Sequence, residues 1–362
     1  MSLPGDAVAA HFAADLPVWN ADDDGALVCR RVVQETHDVR SFYFSAEAPR
    51  RFLFKPGQFL TFEFEIAGEI LYRCYTISSP PTQPYLISIT VKRHPGGPVS
   101  NFLHDHLRPG VAVRATGPMG DFTTASRPAD KYLFLSGGSG ITPLMCMARS
   151  FAGIGTNADV AFVHSARSPE DIIFRDELAR MGRDMPGFRA VAVCESDSPG
   201  EIWGGFRGRL SLDRLRLMAP DFSERTVFTC GPAPYMAGVR AMLAASGFDM
   251  ARYYEESFVF EDIVGPVAAE SIAAARGYRV SFSKSGRTID CSADDFVLRA
   301  ATASGLKIAS SCTRGMCGTC KSRLVSGQVE MRHNGGIRQR EIDQGMILIC
   351  CSRPLSDLVI DR

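Results

Sequence analysis

The chain has 362 residues, 45% of them apolar, and its 40 Lys plus Arg balance 40 Asp plus Glu. That balance excludes a protein working through global charge on nucleic acid or a membrane surface, and no apolar run is long enough to span a bilayer. The acidic, alanine-rich N-terminus has no signal-peptide pattern, and the eleven cysteines show no disulfide framework, so a reduced, cytoplasmic setting is expected. At about 150 residues per domain, two or three domains are expected.

Residues 1–25 are polar and acidic and read as a poorly ordered arm or loose strap. Residues 26–128 alternate in short runs broken by Gly and Pro, among them Val39–Phe44, Phe59–Phe64 and Tyr85–Val91. Strands this closely spaced predict a small antiparallel β-barrel. Two patches stand out within it. Arg73-Cys74-Tyr75-Thr76 places Arg73 and Tyr75 on one face of a strand and Thr76 on the other. Val91-Lys92 leads into Gly96-Gly97-Pro98-Val99-Ser100, a glycine turn before a helix that offers N–H groups to an anion.

Residues 129–260 change to strands alternating with amphipathic helices, the pattern of an α/β domain with a parallel sheet. The strand Tyr132–Ser136 runs into Gly137-Gly138-Ser139-Gly140-Ile141-Thr142-Pro143, with a helix expected from Leu144, Thr142 as its N-cap and Pro143 at its first position. A strand, a glycine turn and a helix start suit a pyrophosphate. A later strand, Thr226–Cys230, ends in Gly231-Pro232, again where ligands sit in open α/β sheets. Residues 261–276 read as a linker.

Residues 277–362 open with a hairpin, followed by a helix expected from Asp295 to Ala303. Then come Cys312, Cys317 and Cys320 in a C-x₄-C-x₂-C loop, with Cys350 further on. This is the plant-type spacing for a 2Fe–2S cluster on four thiolates. Gly315 and Gly318 allow the sharp bend, and the apolar run Met346–Ile349 reads as a core strand delivering the fourth ligand. A structural zinc site also takes four cysteines but usually pairs two knuckles, and no second knuckle is present. Cys351 adjoins Cys350; the spacing favours Cys350.

Together the Arg-x-Tyr-Thr patch, the Gly-Gly-Ser-Gly-Ile-Thr-Pro turn and the Thr-Cys-Gly-Pro strand end resemble the ferredoxin–NADP reductase superfamily. The C-terminal portion resembles a plant-type ferredoxin of β-grasp, α+β architecture. The order looks like that of single-chain iron–sulfur flavoprotein reductases serving Rieske-type oxygenases, including those acting on glycine betaine or related N-methyl substrates, and hybrid-cluster proteins. The resemblance implies an NAD(P)H-dependent oxidoreductase passing electrons from NADH through FAD to 2Fe–2S and on to an acceptor protein.

Carried onto this chain, the resemblance implies that Arg73 pairs with the flavin diphosphate and Tyr75 stacks on the ring, with Thr76 at its reactive edge. Val91, Lys92, Gly97, Val99 and Ser100 belong to the flavin site, and Gly137, Gly138, Gly140 and Thr142 receive the dinucleotide. Cys230, Gly231 and Pro232 lie by the nicotinamide, with Glu256 near them and Phe258 covering the flavin. Thr76, Cys230, Glu256 and Phe258 form the catalytic set. Taken alone, Tyr75 would be core, Cys230 a buried small hydrophobe and Glu255-Glu256 a solvated charge pair.

Ile77-Ser78-Ser79-Pro80 after the first patch favours FAD over FMN. Glu195, at the end of the strand reaching Cys194, favours NADH over NADPH, because an acid accepts a ribose hydroxyl and repels a phosphate; Arg167 partly offsets it. His104 and His106 are two residues apart and do not share a helix face, which argues against a metal site. Residues 277–362 carry 13 Lys plus Arg against 8 Asp plus Glu, a net +5, which predicts an acidic docking face on the acceptor. Arg314 and Arg338 are the expected contacts. A Rieske-type terminal oxygenase, a hybrid-cluster protein or a similar redox acceptor is compatible, and a non-enzymatic redox-sensing role is the alternative of a different class.

Overall fold

The computed structural model describes residues 15–20, 23–257, 277–306, 308, 315, 318, 320–333 and 336–362. They form two compact units: one holds the flavin and nicotinamide portions apart from Leu71–Cys74, and the other holds the ferredoxin portion together with Leu71–Cys74. The expected linker at 261–276, and Phe258, Cys312, Cys317 and Arg314, lie outside the described residues.

The flavin portion contains β1 (Val18–Trp19), β2 (Asp24–Thr36), β3 (Val39–Ala46), β4 (Arg51–Phe52), β5 (Phe59–Ile66), β6 (Glu69–Thr76), β7 (Ile87–Lys92) and β8 (Ala112–Met119). Six of them form an antiparallel sheet in the order β6-β5-β8-β2-β3-β7. A bridge from Ile77, just past β6, to Ile89 on β7 joins its two ends and closes the barrel. Alternation fills the interior with Leu27, Phe42, Phe44, Phe62 and Ile89, all fully buried. The strand expected from Tyr85 begins at Ile87, because Phe52 N–H donates to the Pro84 carbonyl and holds the preceding turn outside the ladder.

Residues 15–20 are a strap rather than a loose arm. β1 pairs in parallel with β4, and Trp19 is only 2% exposed, its indole N–H donating to the Gly117 carbonyl at 2.8 Å. A buried indole needs such a partner. Helix α1 (Pro98–His106) follows the glycine turn, with Gly97 at its N-cap.

The nicotinamide portion comprises β9 (Lys131–Gly137), α2 (Ile141–Ile154), β10 (Asp159–Ala166), α3 (Arg175–Asp184), β11 (Phe188–Cys194), β12 (Phe206–Arg207), α4 (Leu212–Met218), β13 (Thr226–Gly231), α5 (Ala233–Ala245) and β14 (Tyr253–Ser257). All six strands are parallel, in the order β12-β11-β10-β9-β13-β14. The connection from β9 runs outward through β10, and the chain later returns to β13 on the other side of β9. The topological switch therefore falls between β9 and β13, where a crevice opens at the strand ends. Apolar residues cover both sheet faces. One of those cores, built on Phe134, Ile141, Phe162 and Phe228, also takes in Val39 and Phe122 from the flavin portion.

The ferredoxin unit contains β15 (Gly277–Phe282), β16 (Arg287–Ser292), α6 (Val297–Ala303), β17 (Lys321–Ser326), β18 (Val329–Met331), α7 (Gln339–Asp343), β19 (Met346–Leu348), β20 (Ser352–Pro354) and β21 (Leu358–Asp361). Its main sheet runs β16-β15-β21-β17-β19, with β15 and β21 parallel and the other pairings antiparallel. Val297, Leu298 and Ala301 of α6 pack on Val280, Ile289 and Ile360, which is the β-grasp arrangement. The helix starts at Val297 and not at Asp295, whose carboxylate accepts from Phe296 N–H at 2.6 Å and holds the chain extended there. The strand before Cys350 stops at Leu348, so Cys350 sits in the turn beyond it.

Candidate active site and cluster site

The crevice between β9 and β13 is made by backbone approaching backbone. A Cβ on Gly140 would lie 2.5 Å from the Gly231 nitrogen, and a Cβ on Gly231 would lie 2.7 Å from the Tyr235 ring. Only hydrogen fits there. The helix expected from Leu144 starts earlier: Gly138–Gly140 is a 3₁₀ turn that winds straight into α2 at Ile141, with Gly140 at the N-cap. Thr142 is therefore inside the first turn, its hydroxyl donating to the Ser139 carbonyl at 3.3 Å instead of capping. Pro143 still falls among the first residues, whose N–H groups have no helical acceptor, so it is tolerated. The first amides of a helix have no helical acceptor, so a helix start that follows a strand and a glycine turn suits a pyrophosphate.

Below the turn, four polar residues form one row across four strands. His164 on β10 is in register with Ser136 on β9, Ser136 with Cys230 on β13, and Cys230 with Glu256 on β14. Ser136 Oγ lies 2.8 Å from His164 Nδ1. His164 is 1% exposed, and burial pushes its pKa down to about 4, so it is neutral. Glu256 is the reverse case: burial pushes its carboxyl up to about 8, and Oε2 has no hydrogen-bond partner among the described residues. Burial, reinforced by the nearby Glu256, pushes the Cys230 thiol well above its ordinary value. Glu255 and Glu256 therefore do not form the solvated charge pair that they would be taken for alone. Glu255 binds Arg240 and the Tyr253 hydroxyl, whereas the next side chain along the strand points to the other face of the sheet.

On the flavin side, Thr76 is buried and its hydroxyl has no partner among the described residues, as a hydroxyl awaiting a ligand would be. Tyr75 is half-buried, edge-on to Phe62 at 6.0 Å. Arg73 donates from Nη1 to its neighbour's carbonyl, Tyr72 O, at 2.8 Å. Val99 is buried, and Ser100 Oγ accepts from His94 N–H at 3.1 Å, shaping the glycine turn. Lys92 is ion-paired to Asp38 at 3.0 Å and lies 3.7 Å from Asp171. His104 is buried with Nε2 3.0 Å from the Val91 carbonyl, a structural contact.

A second cleft, about 320 Å³ in volume, opens at the ends of β10 and β11, lined by His37, Arg167, Ser168, Glu170, Asp171, Ser196 and Asp197. Arg167 reaches Asp171 at 3.1 Å. Glu195 is not in the lining; it turns toward Arg209 at 3.4 Å. Asp197, Asp171 and His37 were not singled out in the sequence. They come from separate loops, and only the fold brings them together. His37, Asp38 and Asp171 have ligand atoms close enough for a cation, but Lys92 and Arg167 already neutralise the two carboxylates.

In the ferredoxin unit, Cys320 and Cys350 are both buried in the core that includes Ile347 and Ile349. Gly315 has φ +70°, and a Cβ on it would strike the Cys351 sulfur at 2.7 Å. Gly318, at φ +74°, would strike the Gly336 carbonyl at 2.9 Å. Both glycines are thus required by a tightly wrapped loop, and soft buried thiols suit iron and sulfide. The residues fit all three groups: orphaned hydroxyl and carboxyl for a flavin and nicotinamide, a glycine cradle for the diphosphate, and thiols for the cluster.

A barrel, a parallel sheet with a nicotinamide crevice and a β-grasp cluster domain define an NAD(P)H-dependent iron–sulfur flavoprotein oxidoreductase. Family models agree: an oxidoreductase FAD-binding domain matches residues 27–124, an oxidoreductase NAD-binding domain 134–241 and a 2Fe–2S cluster binding domain 281–355. The glycine betaine monooxygenase reductase subunit of Pseudomonas aeruginosa is 49% identical over 343 residues, covering 92% of this chain and 94% of that one. The stachydrine N-demethylase reductase subunit of Rhizobium meliloti is 42% identical, with coverage of 96% and 98%. Phthalate dioxygenase reductase, a solved structure for electron transfer from pyridine nucleotides to 2Fe–2S, matches with TM-score 0.58 at 25% identity over 94% of this chain and 98% of that one. The chain belongs to this family of oxygenase reductase components, and it carries electrons from a nicotinamide through FAD and a 2Fe–2S cluster to an oxygenase.

Proposed function

We propose that the chain is the NADH-dependent reductase of a two-component monooxygenase whose terminal oxygenase is of the Rieske type and acts on glycine betaine or a related N-methyl compound. The 49% identity to a glycine betaine monooxygenase reductase subunit over 94% of its length carries this reading. The N-demethylase reductase relative supports the N-methyl substrate class.

When bound, FAD would supply a hydride acceptor for the nicotinamide, and the cluster a one-electron carrier. The chain's own residues arrange this without acid–base chemistry. The glycine turn and α2 start hold the dinucleotide phosphates, and Tyr75 and Thr76 line the flavin. Cys320 and Cys350, with Cys312 and Cys317, hold the cluster. Burial raises the Glu256 carboxyl to about 8, which favours its neutral form near pH 7, and the Cys230 thiol stays protonated, shaping the crevice rather than attacking as a nucleophile. Phe258 takes the place of a cover on the flavin in this scheme.

Three carboxylates, Glu170, Asp171 and Asp197, face the second cleft against Arg167. If this cleft holds the adenosine end, a 2′-phosphate is repelled and NADH is preferred. The role assigned to Glu195 passes to Asp197. Reduction under nitrogen with NADH and with NADPH tests the nucleotide choice, and Asp197→Ser is expected to improve NADPH use about fivefold. Reconstitution with a glycine betaine oxygenase subunit, scored by formaldehyde release, tests the partner. Faster reduction by NADPH, or no formaldehyde, overturns the respective part.

A further inference from the structure

The ferredoxin unit has a surface hollow of about 230 Å³ lined by Phe296, Glu330, Arg332, Cys351 and Arg353. Cys351 is peptide-bonded to Cys350, so this hollow lies one residue from a cluster ligand. Its two arginines differ. Arg332 is satisfied by Glu330, with Nε 2.9 Å from Oε1. Arg353 has no carboxylate partner among the described residues; its guanidinium carbon lies 4.9 Å from the centroid of the Phe296 ring, and its Nε is buried without a hydrogen-bond acceptor. Phe296 is 37% exposed, and Leu355, two residues beyond Arg353, is more exposed still.

Arg353 is half-buried and its guanidinium has no carboxylate partner among the described residues, so its outer nitrogens can take a carboxylate supplied from outside. An arginine stacked on a half-exposed aromatic, rimmed by an aliphatic side chain, has the composition of an interface hot spot. The net +5 of residues 277–362 selects an acidic counterpart. We propose that this hollow is the docking point for the oxygenase partner and that it receives a carboxylate side chain of that partner beside Phe296. The proposal rests on the reading that the acceptor is an oxygenase. It adds Arg353 to the expected contacts Arg314 and Arg338. Seated there, the partner touches Cys351 and is separated from ligand Cys350 by one peptide bond.

The test uses the full-length holoprotein and the glycine betaine oxygenase subunit as probe, with Kd measured by calorimetry across a salt series. Absorbance bands of flavin and cluster establish equal loading of each variant. Arg353→Gln is expected to weaken binding about tenfold and to flatten the salt dependence, and Phe296→Ala to weaken it about fivefold. Arg353→Lys restores part of the loss. Arg279→Gln removes the same charge from an exposed arginine elsewhere on the unit, paired to Asp357, and is expected to stay within about twofold. Wild-type affinity in Arg353→Gln, or an equal loss in Arg279→Gln, overturns the docking point while leaving the oxygenase reading intact. So does a concentration-dependent dimer of the chain alone that Phe296→Ala dissolves, since the hollow then belongs to a second copy. Failure of the wild-type protein to bind any oxygenase tested overturns both.

Discussion

Gly140 stands so close to Cys230 that a Cβ on it would lie 2.4 Å from the Cys230 carbonyl carbon. The Gly138–Gly140 turn is therefore wedged against the end of β13, the two segments to which dinucleotide binding is assigned in the proposed function. Gly140→Ala must push the two apart. It is expected to destabilise the protein by about 1–3 kcal/mol and to raise KM for NADH more than it lowers kcat. Thermal unfolding and steady-state kinetics check the two parts, and an unchanged KM would refute the wedge.

The buried pair in the cross-strand row sets a pH signature. Glu256 titrates near 4.5 in the unfolded chain and at about 8 when folded. Its contribution to stability is present below the lower value and is lost as pH rises through this window. His164 goes from an ordinary 6.5 to about 4, so its contribution is present above 6.5 and is lost as pH falls toward 4. Of these two groups only Glu256 contributes a slope above pH 6.5, and it adds to that of the buried thiols, whose raised pKa values act from about pH 8 upward. A fall in urea midpoint between pH 6.5 and 8 is expected for the wild type, and Glu256→Gln is expected to make it shallower.

Two adjacent thiols, Cys350 and Cys351, could serve as the fourth cluster ligand, and the C-x₄-C-x₂-C…C spacing assigns it to Cys350. Cys350→Ser is expected to abolish the iron–sulfur absorbance and to leave flavin reduction by NADH in place. Cys351→Ser is expected to keep the bands, although its sulfur lies against Gly315 of the ligand loop. Iron content and visible spectra of the two variants decide the assignment; full cluster loading in Cys350→Ser would reverse it.

Arg225 is 1% exposed, gripped by both oxygens of Asp221 at 2.8 and 2.9 Å, by Asp159 at 2.8 Å and by the Tyr132 carbonyl at 3.0 Å. The hydrogen bonds from Arg225 hold the Asp221 carboxyl down at about 2. Arg225→Ala leaves these acceptors facing a cavity and is expected to cost about 3–5 kcal/mol in urea denaturation. A loss below about 1 kcal/mol would show that water replaces the guanidinium there.

Periodicity alone told the barrel from the parallel sheet, and the cysteine spacing marked the cluster loop, because both are local properties of the chain. The start of α2 was not legible: Thr142 and Pro143 satisfy helix-start rules, but Gly138–Gly140 winds a 3₁₀ turn ahead of them. Nor was the buried state of Glu256. Alternation says which way its side chain points, but only the β13–β14 register puts it beside Cys230. The second cleft is the extreme case, since His37, Arg167 and Asp197 come from three loops with no shared spacing.

The packing of Val39 and Phe122 into the same apolar cluster as Phe134 and Phe228 bears on how such reductases can be recombined. A chimera cut near residue 128 would tear Phe122 from Phe228, whose rings are 5.3 Å apart, and expose two half-built interiors. A splice placed after Ser257 leaves that interior whole. The flavin and nicotinamide halves must therefore be inherited together, as one front piece.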